Sequence, residues 1–244
     1  SAAADILFGD VNPSGKLAET YPLALSDNPS YNYYPGYTAS VEYKESVFVG
    51  YRYYDTAEKN VLFPFGYGLS YSNFQYSDIK LSADSIKDTD KVTVSFKIKN
   101  VSDVDGAEVA QVYVTDNEST IYRPKQELKG FKKVFLKAGE EKEISIELDK
   151  RSFAYYNVNI HDWHVESGKF TINVGASSRD IKLTAELNVE STVEAVIPDY
   201  RATAAKYYTA DIMDITDEEF VSVLGRALPP REIKAYPNLT LVNT

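Results

Sequence analysis

Cysteine is absent from the 244 residues, which excludes disulfides, thiolate metal sites and cysteine nucleophiles. The compartment stays open between bacterial cytoplasm and secretion, because bacterial secreted proteins also do without cysteine. Histidine occurs only twice, and both copies fall in one tetrapeptide, His161-Asp162-Trp163-His164. No apolar run approaches the roughly 18 residues of a membrane span. The opening SAAADILFG lacks the basic flank and long apolar core of a signal peptide. Positive charge is in deficit: 26 basic against 36 acidic side chains give a net charge of −10, which argues against attraction to nucleic acid phosphates or anionic lipid. Neither a nucleic acid nor a membrane partner is expected.

What is present suffices for a buried core, with 43% hydrophobic residues in a chain of this length. Ala2, Ala3, Ala4, Ile6, Leu7 and Phe8 predict a helix that Gly9 ends. Both termini read as cut, so the sequence is expected to be a fragment. Residues 1 to about 76 otherwise show little periodicity. A Gly-Asp-Val-Asn-Pro-Ser-Gly turn at 9–15 precedes a loop with eight tyrosines, at 31, 33, 34, 37, 43, 51, 53 and 54. The run VFVGYRYY (47–54) is expected to add one strand. In LFPFGYGLSY (62–71), Pro64 holds Phe63 extended, and Gly66 and Gly68 permit backbone angles closed to other residues. The segment is a shaped loop whose large apolar side chains, worth roughly 1.5–3 kcal/mol each when buried, must pack on something.

From residue 77 the pattern alternates with a period of two. VTVSFKIKN (92–100) puts Val92, Val94, Phe96 and Ile98 on one face and Thr93, Ser95, Lys97 and Lys99 on the other, as a half-buried antiparallel strand does. QYSDIKLS (75–82), AEVAQVYVT (107–115), GFKKVFL (130–136), KEISIEL (142–148), KFTINVG (169–175) and DIKLTAELNV (180–189) complete seven strands. The chain is thus predicted mainly β, a sandwich of the immunoglobulin or fibronectin type III kind. In the tail Thr216 and Glu219 form a capping box, Ile215 and Phe220 a hydrophobic staple, and Gly225 with Pro229 and Pro230 a stop, which predicts a short helix over 217–224.

Acidic residues are plentiful, so a glycosidase-like pair of carboxyls about 5–10 Å apart can be imagined, but nothing in the sequence establishes one and each candidate has a structural reading. His161 and His164 with Asp162 offer a metal set, but strand spacing sends the two imidazoles to opposite faces, so a hairpin tip beside Trp163 is favoured. Asp217, Glu218 and Glu219 suit the positive end of a helix dipole. Asp10 and Asp55 are read as turn residues that bond local amides. Ser14 lacks a nucleophile-elbow setting. Lys129, Lys132 and Lys133 read as a solvated strand face. Trp163 and the tyrosines suit either sugar stacking or the gluing of one domain to another, and gluing is favoured for the loop. Asn117-Glu118-Ser119 and Asn238-Leu239-Thr240 match the glycosylation acceptor pattern.

ADILFGDVNPSGKL (4–17), FVGYRYYD (48–55) and LFPFGYGLSY (62–71) together resemble the closing segments of the second domain of glycoside hydrolase family 3, the β-glucosidase family. GAEVAQVYV (106–114), ELKGFKKVFLKAGE (127–140) and GKFTINVGASSRDI (168–181) are similar to that family's fibronectin type III-like domain, and DEEFVSVLGRALPP (217–230) to its C-terminal extension. Ala18, Tyr21 and Ser46 depart from the pattern, which favours Pro, Phe and Gly there. The resemblance implies three parts: residues 1–76 as the remnant of an α/β sandwich domain and linker, 77–190 as the fibronectin-like sandwich, and 191–244 as an extension with the short helix.

The resemblance also implies that the nucleophilic aspartate and acid/base glutamate lie outside this chain. No catalytic, cofactor-binding or metal-binding residue is then expected in it, no cofactor is required, and the chain alone is expected to be inactive. Its expected partners are the catalytic barrel and α/β sandwich domains, in the same or a separate chain, against which the tyrosine-rich loop would lie. Rival readings are a carbohydrate- or surface-binding module and a subunit that associates in trans.

Overall fold

A computed structural model describes residues 1–232. Its centre is the predicted sandwich. One sheet has three strands in the order β3-β5-β8, and the other five in the order β4-β12-β11-β6-β7. The strands are β3 (Phe74–Leu81), β4 (Ser85–Lys87), β5 (Val92–Asn100), β6 (Gly106–Asp116), β7 (Glu127–Leu136), β8 (Glu141–Leu148), β11 (Gly168–Ser177) and β12 (Asp180–Glu190). All pairings are antiparallel except that of β12 with β4. β5 runs in unbroken register with β8, from Val92 opposite Leu148 to Lys99 opposite Glu141.

The two-residue period explains the core. Val92, Val94, Phe96 and Ile98 of β5 turn inward with Ile144 and Leu148 of β8, and they meet Val112, Leu136, Phe170, Ile172, Val174 and Leu187 from the larger sheet. All seven predicted strands form, each within three residues of its expected ends; the largest shift is at β7, which begins at Glu127 rather than 130. β4 had no sequence expectation, and of the hairpin β9 (Tyr155–Asn157) with β10 (Asp162–His164) only the tip beside Trp163 was expected, not the strands. Three residues carry too little alternation to register as a strand.

β6 differs from its neighbours because residues 110–114 are buried without alternation. Ala110, Val112 and Val114 enter the sandwich core, whereas Gln111 and Tyr113 point away from it and are buried as well. Something must therefore cover the outer face of the larger sheet, and the first third of the chain does so.

That first third contains α1 (Ala2–Leu7), a two-residue β1 (Tyr21–Pro22) paired with β2 (Val61–Phe63), and α2 (Tyr51–Thr56). Ser1 caps α1, and Gly9 follows it at φ +82°. The expected strand over 47–54 is corrected by α2. Gly50 has φ 56° and ψ −138°, which breaks the extended run, and the helix that follows turns Tyr53 and Tyr54 together into a core. Strand spacing would have split those two rings between opposite faces.

Beyond the sandwich lie the short helices α3 (Lys150–Phe153), α4 (Lys206–Thr209) and α5 (Asp217–Leu224). α5 begins and ends as predicted. Thr216 accepts from Glu219 N–H, the Glu219 carboxylate returns the bond to Thr216 N–H, and Gly225 closes the helix in the left-handed conformation. Among the described residues no helix is long and apolar enough to cross a membrane.

Candidate interdomain surface

The loop quoted above, 62–71, seats itself on β6. Phe65 stacks on Tyr51 at 4.6 Å between centroids, and Tyr51 meets Tyr113 edge-on at 6.0 Å. Gln111 Nε2 donates to the carbonyls of Gly66 and Ala176, and Ser178 N–H donates to Phe65 O. Gly66 has φ +80°, and a β-carbon there would lie 2.1 Å from Gln111 Oε1. Only glycine lets the backbone approach the amide so closely.

Polar anchors hold the rest of the segment. Asn12 bonds Ser70, Tyr71, Ser72 and the carbonyl of Asp105. Lys16 pairs with buried Glu108 at 3.0 Å, and the same carboxylate accepts from the Tyr76 hydroxyl. Burial foremost, then the Glu108 charge, raises the Tyr76 phenol far above its usual value, so it stays a neutral donor.

A second core joins the first third to the tail. Phe48, Tyr53 and Tyr54 pack with Tyr207, Ile212, Ile215 and Phe220. Tyr33 Oη accepts from Ile215 N–H and donates to Ile212 O, both at 2.6 Å, and the Tyr207 hydroxyl donates to Lys44 O. A charged clasp closes the same junction, with Arg231 on both Glu42 and Asp217, and Lys44 on Asp217 at 2.9 Å. Ser46, which stands where the family pattern favours glycine, has φ 53° and shares a hydrogen bond with the Tyr122 hydroxyl.

Many other side chains of the first third are uncovered. Leu7, Phe8, Tyr34 and Tyr43 are 81, 84, 74 and 71% exposed, and Leu23, Leu25, Leu62 and Leu69 are also open to solvent. Tyrosine placement is thus mixed: Tyr53 and Tyr54 are buried within the chain, whereas Tyr31, Tyr34, Tyr37 and Tyr43 are not. Burial of so much apolar surface against a partner is favourable. A cleft of about 650 Å³ also opens in this part, lined among others by Glu19, Glu45, Arg52 and Tyr54.

The individual candidates resolve as follows. His164 is buried while His161 sits exposed on the β9–β10 turn, at φ 52°. No group of three or more acidic or histidine side chains able to hold a metal ion occurs among the described residues. Trp163 does lie at a hairpin, but the Arg151 guanidinium covers its ring at 3.5 Å and Tyr156 meets it edge-on, so it is not an open stacking platform.

Asp55 is corrected. It lies in α2 rather than a turn, is buried, and accepts from Arg179 instead of a local amide. Lys129 is also corrected: it turns inward to Glu127 at 3.3 Å, away from solvated Lys132 and Lys133. Residues 217–219 occupy the first turn of α5, as read, although Asp217 also serves the clasp. Asp10 and Ser14 border the turn after α1. Asn117 bonds Thr171 beside β11, and Asn238 lies outside the described residues.

Two sheets of this order around one core define a fibronectin type III-like sandwich, here flanked by a segment anchored to its outer face. Family models agree: residues 108–178 match the fibronectin type III-like domain, and residues 1–71 match the glycosyl hydrolase family 3 C-terminal domain. The chain belongs to glycoside hydrolase family 3, as the C-terminal part of its members. It is 58% identical over 193 residues to thermostable beta-glucosidase B of Acetivibrio thermocellus, covering 79% of this chain and 26% of that protein. Exo-alpha-(1->6)-L-arabinopyranosidase of Bifidobacterium breve is 51% identical over 189 residues, covering 78% and 25%. The crystal structure of a family 3 beta-glucosidase from Bifidobacterium adolescentis superposes with a TM-score of 0.76 at 45% identity, over 87% of this chain and 32% of that one. The chain thus spans about a quarter of the length of the curated relatives it matches.

Proposed function

We propose that this chain is the non-catalytic brace of a retaining β-glucosidase-type enzyme. Residues 1–76 complete its α/β sandwich domain, 77–190 form a buttress, and the tail from 191 to 232 straps the two together. The parent enzyme hydrolyses terminal β-linked sugars through a covalent glycosyl intermediate, using a carboxylate nucleophile and a carboxylic acid/base contributed by its barrel and α/β sandwich domains. Those domains are the partner of this chain.

The mixed burial of the first third carries this reading: some of its side chains are fixed to β6 and the tail, and others, leucine, phenylalanine and tyrosine among them, are uncovered. The relatives add support. A protein named a beta-glucosidase and one named an arabinopyranosidase are 58% and 51% identical to this chain, which favours sugar selection outside it.

The test is an assay of the purified 244-residue chain on an aryl β-glucoside, alone and mixed with a separately expressed barrel and α/β portion. The chain alone gives no turnover above buffer. Turnover by the chain alone contradicts the reading.

A further inference from the structure

A cleft of about 400 Å³ lies where the β9–β10 hairpin, the start of α3, residues 121–129 and the tail meet. Charge in its wall is one-sided. Arg52, Arg123, Lys129 and Arg151 stand against the single carboxylate of Glu127. Asp116, paired with Arg123 Nη1 at 3.0 Å, and buried Glu166 beyond it bring the local balance to four cations against three anions, on a chain whose net charge is −10.

Glu127 is shared three ways, with Arg52 at 3.1 Å on Oε1, and Arg123 at 3.1 Å and Lys129 at 3.3 Å on Oε2. Glu127 alone cannot neutralise all three, and Arg123 turns to Asp116 as well. Burial, which disfavours the charged form, holds the Lys129 ammonium below its ordinary value despite Glu127.

Arg151 differs from the other three. Its guanidinium lies over the Trp163 ring, 3.5 Å from the centroid, a distance that suits stacking of the two planar groups. Among the described residues no hydrogen bond or ion pair uses its side-chain donors. Beside it Tyr156, half-exposed, meets the edge of Trp163 at 5.8 Å. A planar fork matches a carboxylate at two points, and an aromatic face next to it suits the C–H face of a pyranose. The volume falls in the range of small-molecule sites.

We propose that this cleft binds a carboxylated sugar unit, a uronic acid, with its carboxylate on the Arg151 fork and its ring against Tyr156. The proposal does not rest on the bracing role, although Val47 and Arg52 of the first third line the cleft.

Trp163 is the only tryptophan, so its emission reports on the cleft directly. The full chain is titrated with glucuronate at low ionic strength, with glucose and acetate as controls, and affinities are repeated by calorimetry. Glucuronate gives a saturable response, and the two controls give none at tenfold higher concentration. Arg151→Ala weakens glucuronate at least tenfold, and Arg151→Lys, which keeps the charge without the fork, weakens it less. Arg52→Gln, on the exposed side, serves as a second variant, also weakens binding, and circular dichroism verifies its fold. No response to glucuronate, an equal response to glucose, an equal response to acetate, or unchanged binding by folded Arg151→Ala each overturns the proposal.

Discussion

Arg179 Nε donates to Asp55 Oδ1 at 2.6 Å, and Arg179 Nη2 donates to the carbonyls of Tyr54 and Lys59. One guanidinium from the β11–β12 turn thus neutralises a buried carboxylate and satisfies two carbonyls at and beyond the end of α2. Cations are favoured at a helix C-terminus, so the contact fixes how the first third sits on the sandwich.

Removing that cation leaves Asp55 buried without its partner. Arg179→Ala is expected to cost about 3–5 kcal/mol, the usual penalty for an uncompensated buried charge. Adding Asp55→Asn recovers part of the loss, because the orphaned group is then neutral. Urea denaturation of the two single variants and the double variant measures the coupling. Strict additivity contradicts the assignment.

The clasp makes tail docking sensitive to acid. Hydrogen bonds from Arg231 and Lys44 hold the Asp217 carboxyl at about 2, against roughly 3.9 for an unfolded aspartate. A lowered folded-state value contributes stability that is present above the unfolded value and disappears as pH falls through the folded one. Protection of α5 amides from hydrogen exchange should therefore decline between about pH 4 and 2, and Asp217→Asn should flatten that decline. An equal decline in the variant places the acid sensitivity elsewhere.

Gly66 is the tightest point between loop and sheet. Gly66→Ala adds a β-carbon 2.1 Å from Gln111 Oε1 at φ +80°, where overpacking and a left-handed backbone together cost about 2–4 kcal/mol. Its thermal midpoint falls accordingly. Gln111→Ala in the same chain relieves the clash and restores part of the midpoint, which a purely conformational effect does not allow.

The sandwich was legible because Val92, Val94, Phe96 and Ile98 repeat at the spacing of a half-buried strand, and α5 because Thr216, Glu219 and Gly225 are local signals. What sequence reasoning missed depends on distant contacts. Tyr53 and Tyr54 find Tyr207, Ile212 and Phe220 more than 150 residues away, and no local pattern announces that pairing. The inward turn of Lys129 depends on Glu127 lying beside Arg123 and Arg52, which only the assembled sheet creates. For β6 a signal was present, since the buried outer positions Gln111 and Tyr113 carry no charge, whereas the outer face of β5 carries Lys97 and Lys99.

The bracing account rests on the uncovered side chains of the first third, and hydroxyl-radical footprinting tests it most directly. Phe8, Tyr34 and Tyr43 are labelled in the isolated chain and again within an intact family 3 enzyme that carries it, with exposed Phe131 of β7 as the reference. The account predicts that the three rings lose most of their labelling in the intact enzyme while Phe131 does not. Equal labelling of Phe8, Tyr34 and Tyr43 in both forms contradicts it.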